Sequence, residues 1–147
     1  ISIISKQGVS MVKALGLDHN KRSVFSLYYH LVIVTKYRRP VITDDILIRL
    51  KEMFEQQAPT YKATLIEMNH DRDHVHILFK ASPNTELSKF INVYKASTSR
   101  IIKKEFPDVA NQLWNNKFWT SSYFIQSAGG APLNKIKEYI QNQGENS

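Results

Sequence analysis

Asp73-His74-Val75-His76-Ile77-Leu78-Phe79 is the stretch on which the fold turns. On a strand, side chains at i and i+2 leave the same face, so His74 and His76 point one way and Val75, Ile77 and Phe79 the other. The apolar three need a layer to pack against. The two imidazoles then stand on the opposite, open face, roughly 7 Å apart at Cα by the strand rise, close enough to converge on one metal ion. The same pattern also fits two half-exposed histidines on a solvated face, and this stretch alone does not separate the two readings.

Outward from it, Asn69-His70-Asp71-Arg72-Asp73 is a short polar turn, and Tyr61 to Met68 reads as the strand before it, which predicts a hairpin. Further upstream, Phe25, Leu27, Tyr29, Leu31 and Ile33 alternate with Ser26, Tyr28, His30, Val32 and Val34, a first strand over 23–35. Between these strands Ile46, Leu47, Leu50, Met53 and Phe54 recur at helical spacing behind a Thr43 or Asp44 cap, a helix reaching Gln57. Downstream, a helix from Glu86 to about Phe106 carries Leu87, Phe90, Ile91, Tyr94, Ile101 and Ile102 as its inner stripe, and 118–127 supplies a fourth strand. The order β-α-β-β-α-β predicts an α+β, ferredoxin-like fold, a four-stranded antiparallel sheet with two helices on one face and the other face open. Pro132 opens a further helix over 133–143. Residues 1–22 read as a tail and 23–147 as one domain.

The 147 residues suffice for one core. The chain has no cysteine, which excludes disulfide scaffolds, thiol catalysis and cysteine-ligated metals. The longest aliphatic run, Leu31 to Val34, is far short of the ~20 residues of a membrane span, so a cytoplasmic protein without a membrane partner is expected. Twenty Lys and Arg against thirteen Asp and Glu give a net charge of +7, which favours a polyanionic partner.

On the last helix Tyr139 and Gln143 are an i,i+4 pair and share a face. A phenol and a carboxamide so placed can present a nucleophile and an oxygen ligand together. Tyr139 also borders the apolar stripe of Leu133, Ile136 and Ile140, so a packing role is equally open.

The two elements together carry a resemblance. Tyr29-His30-Leu31-Val32-Ile33-Val34-Thr35-Lys36-Tyr37-Arg38-Arg39-Pro40, Asp73 to Leu78, Lys95-Ala96-Ser97-Thr98-Ser99-Arg100, Trp119-Thr120-Ser121-Ser122-Tyr123-Phe124 and Tyr139-Ile140-Gln141-Asn142-Gln143 follow one another in order. Across 23–143 the chain resembles the single-tyrosine HUH transposases of the smallest bacterial insertion sequences. The resemblance implies His74 and His76 as metal ligands with Gln143 as the third, Tyr139 as the catalytic nucleophile, and Mg²⁺ or Mn²⁺ as the cofactor. It also implies a 5′-phosphotyrosine intermediate, single-stranded DNA with subterminal hairpins as substrate, and a homodimer. By ligand preference two imidazoles suit manganese better than magnesium.

Lys36, Arg38 and Arg39 after the first strand, and Lys95 and Arg100 on the second long helix, are the expected DNA contacts. Tyr37, Phe118, Trp119 and Tyr123 are the aromatics available to stack on extruded bases. His30 reads as structural, and His19 and His70 have no supporting context. Two other readings compete: an HUH nickase domesticated for chromosomal repeats, and a non-catalytic single-stranded nucleic-acid-binding module of the same fold. The module would place aromatics where this chain places His74 and His76.

Overall fold

The structure is a computed structural model that describes residues 26–129. The tail over 1–22 and the helix over 133–143, with Tyr139 and Gln143, lie outside the described residues. Within them the chain runs β1 (Leu27–Val34), α1 (Asp44–Gln57), β2 (Ala63–His70), β3 (His74–Ala81), α2 (Leu87–Glu105) and β4 (Phe124–Gly129). The sheet has the order β2-β3-β1-β4 with every neighbouring pair antiparallel, the expected ferredoxin-like arrangement. No helix among the described residues is long and apolar enough to cross a membrane.

Local chemistry sets the element ends. The Thr43 hydroxyl accepts a hydrogen bond from the Ile46 amide at 3.4 Å, and Asp44 and Asp45 place negative charge on the first turn of α1. Beyond α1 the chain makes a 3₁₀ turn over Ala58–Tyr61, with Pro59 in its first turn and Lys62 in the left-handed region at φ 56° behind it. That turn delays β2 to Ala63, two residues later than the alternation predicts. At its far end β2 absorbs Asn69 and His70, because the hairpin turns tightly enough for the Asp71 amide to reach the His74 carbonyl at 2.9 Å. One bulge interrupts the β2–β3 ladder between Leu65 and Glu67, and another the β1–β4 ladder at Tyr28 and Tyr29.

The predicted fourth strand proves to be two pieces. Phe118, Trp119 and Thr120 run beside the end of β1, where the Lys36 amide bonds the Phe118 carbonyl at 2.8 Å and the Thr120 amide bonds the Val34 carbonyl at 2.9 Å. The chain then leaves the ladder until Phe124. The cause is Lys95, whose ammonium donates to the carbonyls of Thr120 (2.7 Å) and Ser122 (3.1 Å), turning them off the sheet and toward α2.

Both helices cover one face. Leu27, Tyr29, Leu31 and Ile33 of β1, with Val75, Ile77, Phe79 and Ala81 of β3, meet Ile46, Leu50 and Phe54 of α1 and Leu87, Phe90, Ile91, Tyr94 and Ile102 of α2. At the centre Phe90 touches three rings: Tyr61 at 4.9 Å between centroids, Phe54 at 5.1 Å and Phe79 at 5.9 Å. The Tyr94 hydroxyl donates to the Leu50 carbonyl at 2.8 Å, fastening α2 to α1, and burial raises its pKa. Phe90→Ala should lower the unfolding free energy by about 3–5 kcal/mol, read by chemical denaturation.

Candidate active site

The ladders align the other face row by row. His76 of β3 lies between Asn69 of β2 and Val32 of β1, and Phe124 of β4 lies beyond Val32. The next row is Glu67, Leu78, His30 and Gln126, and His74 closes the end opposite Val34. This face is not solvated at its centre. His74 is 5% exposed, and His76 and His30 are each 6% exposed. Leu78 is buried with Tyr28, Ile66 and Ala128 packed on it. The half-exposed alternative for His74 and His76 is therefore corrected: both sit on an inner strand and are buried.

Three imidazoles cluster here. The His74 and His76 rings lie 4.7 Å apart between centroids, edge to face. His30 stacks on His76 at 5.4 Å and 19°, and its Nε2 lies 3.2 Å from His76 Nδ1. His30 thus has a partner that its own neighbours in sequence conceal. Its position in the alternation already assigned it to this face; the diagonal register that sets it against His76 is visible only in the folded sheet.

Each ring is held in a definite state. His74 Nδ1 lies 2.7 Å from Asp73 Oδ1, and Arg38 Nε donates to Asp73 Oδ2 at 2.8 Å. Burial works against the Asp73 charge, but the hydrogen bonds from His74 and Arg38 outweigh it and hold the carboxyl below its usual pKa. An ionised carboxylate accepts only, so Nδ1 of His74 carries a proton and donates it to Asp73. Burial, and then the neighbouring His74, push His76 down to about 4; burial, and then His76, do the same to His30. Both are neutral at neutral pH. His76 Nε2 is buried with no hydrogen-bond partner. A buried imidazole nitrogen without a hydrogen-bond partner is free to turn a lone pair to a metal, so the pair fits a divalent ion. Among the described residues no three His, Cys, Asp or Glu side chains group as a metal cage.

The basic residues divide. Lys36, Arg38 and Arg39 lie at the end of β1, on the side of His74, with Arg38 and Arg39 exposed. Arg100 is exposed on α2 but lines the groove between α1 and α2 with Arg49 and Gln57, so it belongs to the helical side of the molecule. Lys95 is corrected. It is 8% exposed, with its ammonium taken up by the two carbonyls and lying 5.6 Å over the Tyr123 ring, and burial lowers its pKa. It is a structural latch with no surface to offer a phosphate. The aromatics divide as well. Phe118 and Trp119 are core, with Trp119 Nε1 bonded to the Thr98 hydroxyl at 2.9 Å, and Tyr123 is half-buried against Ser88. Tyr37 is exposed. His70 bonds Asp44 at 2.7 Å, tying the hairpin to the start of α1.

Comparison with known proteins gives this geometry a family. The model described as "Transposase IS200 like" matches residues 23–143. The ISDra2 transposase TnpA of Deinococcus radiodurans is 27% identical over 133 residues, 90% of this chain and 95% of that protein. The transposase for insertion sequence element IS200 of Salmonella typhimurium is 26% identical over 117 residues, 80% of this chain and 76% of the relative. Among solved structures, that of a protein assigned as a transposase of Deinococcus radiodurans R1 superposes with a TM-score of 0.66 at 28% identity, over 86% of this chain and 97% of the other. A REP-associated tyrosine transposase bound to a REP hairpin shares the fold, with a TM-score of 0.55 at 10% identity, over 84% of this chain and 68% of the other. With a match that runs through the whole sheet and both of its helices, the chain belongs to the IS200-like family of DNA transposases.

Proposed function

We propose that the protein cleaves and rejoins single-stranded DNA at the ends of an insertion sequence, with Tyr139 as nucleophile. The observation that supports it most directly is His76 Nε2, buried and unpaired beside His74, whose tautomer Asp73 fixes. Arg38, Arg39 and Lys36 lie at the same end of the sheet and are the cations available to a phosphate backbone.

In this reading His74, His76 and Gln143 hold Mg²⁺ or Mn²⁺, which when bound polarises the scissile phosphate. The chain's own residues do the rest. His30 accepts the His76 Nδ1 proton, which leaves the His76 Nε2 lone pair for the site. Tyr139 loses its phenolic proton to solvent and its oxygen attacks phosphorus in line. The bond from phosphorus to the 3′ oxygen breaks, that oxygen takes up a proton, and the 5′ end stays on Tyr139 as a phosphodiester. A 3′-hydroxyl then attacks the same phosphorus and expels the phenol, so the bond is conserved through the exchange. One tyrosine holds one end, and excision of an element with two ends therefore uses a homodimer. A subterminal hairpin is the natural marker of such an end, and a protein of the same fold is seen bound to a REP hairpin.

Mixing the protein with labelled hairpin-bearing single-stranded DNA and Mn²⁺ should give an adduct that survives a denaturing gel and maps to Tyr139. Tyr139→Phe should bind the DNA as wild type does and give no detectable adduct; an adduct on another tyrosine would overturn the assignment. His76→Ala should lose the adduct while keeping the fold. His30→Phe should weaken Mn²⁺ binding about 10- to 100-fold, measured by calorimetry on the protein without DNA.

A further inference from the structure

Two loops of the described chain adopt backbone that ordinary residues avoid. Tyr37 and Arg38 sit at φ 57° and 51°, and Asn115 and Asn116 at 55° and 58°. Asparagine adopts left-handed backbone readily, but at Tyr37 and Arg38 it persists only where the surroundings impose it, and such positions concentrate at functional sites. Here the surroundings are specific. The buried Thr35 hydroxyl donates to the Arg39 and Asp73 carbonyls, at 2.9 and 3.1 Å, and the Lys103 ammonium donates to the Asn116 carbonyl at 2.8 Å.

The product of both distortions is one contact. Tyr37 and Trp114 meet edge to face with ring centroids 5.5 Å apart, yet remain 58% and 59% exposed. Two large rings thus lie against each other and are offered to solvent. Cations accompany them: Lys36 lies 5.2 Å over the Tyr37 ring, Arg38 and Arg39 follow it in sequence, Lys103 bonds the loop of Trp114 at Asn116, and the exposed Lys117 ends that loop with its amide on the Trp114 carbonyl. Aromatic faces set among phosphate-binding cations are the composition of a single-strand stacking platform. The position agrees. Arg38 bonds the same Asp73 carboxylate that bonds His74, so the patch is joined to the histidine site by one side chain.

We propose that Tyr37 and Trp114 form a binding site for an unpaired base of the DNA strand, with Lys36, Arg39 and Lys117 taking the flanking phosphates. The proposal rests on the single-stranded DNA reading above and adds to it a base-contact site outside the histidine cluster. A platform of this kind is tolerant of base identity, because every base presents a π face. It positions the strand and does not read it.

The test is equilibrium binding at low salt of an oligothymidylate and of an abasic strand of the same length and charge. Wild type should prefer the base-bearing strand. Trp114→Ala and Tyr37→Ala should each weaken that strand's binding about tenfold and leave the abasic strand unaffected, and Trp114→Phe should retain most of the affinity. Both rings are exposed, so unchanged thermal unfolding should accompany the loss. Variants that bind the base-bearing strand like wild type, or weaken both strands equally, would overturn the platform while leaving the nuclease reading intact. Failure of wild type to bind either strand would also overturn the platform, while the nuclease reading is judged separately by the hairpin-DNA adduct at Tyr139.

Discussion

The unbroken register of β1 on β3, from Leu27 opposite Ala81 to Val34 opposite His74, is the constraint on which the rest of the molecule depends. Side chains alternate, so this one ladder decides which residues enter the helical layer and which face the other way. Slipped by one residue, it would drive Val32 and Val34 into the core and His30 with them, and pull Tyr29 and Leu31 out of the cluster that holds Phe54 and Phe90. Both bulges fall on the outer ladders, β2 with β3 and β1 with β4, where a local kink does not disturb the pairing of the two inner strands. The irregularity is confined to the places that can absorb it.

That register also explains why the histidines are chemically distinct. His74 ends the ladder and faces the Asp73 carboxylate, itself steadied by Arg38. His76 lies further in, against another imidazole. The first ring is anchored by a charge and the second by a neutral neighbour, although only one residue separates them in sequence. Burial keeps His30 and His76 uncharged, so the site gathers lone pairs without gathering positive charge. Such a pocket suits a cation better than three exposed histidines would.

Parity and periodicity were legible in the sequence. The alternation of residues 73–79, the helical stripes of α1 and α2 and the polar turn between β2 and β3 each depend on neighbours a few residues away, and each led to its element. What escaped depends on partners far apart in the chain. The pairing of His30 with His76 needs the diagonal of a sheet, and the meeting of Tyr37 with Trp114 needs two distorted loops to close on each other. Lys95 was misleading for a related reason: a lysine on a helix reads as solvated, and nothing local reveals that two backbone carbonyls await it. The break before β4 is the same fact seen from the other side. The tyrosine helix is a sequence-based expectation throughout, since residues 133–143 lie outside those described.

Lys95 has a consequence for how this protein can change. Its ammonium donates its hydrogen bonds to main-chain oxygens, which every amino acid possesses, and the one side chain of the segment it lies against is the Tyr123 ring. Of positions 120 and 122 the second is therefore the freer, since it offers Lys95 only a carbonyl, whereas the Thr120 hydroxyl also donates to the Ser122 carbonyl at 3.0 Å. Position 95 is not free: a guanidinium is too broad and flat for the space an ammonium fills, and a neutral chain would abandon two buried oxygens. The course of the chain into β4 is thus inherited through a single residue on α2, while the residues that follow that course carry little of the information that sets it.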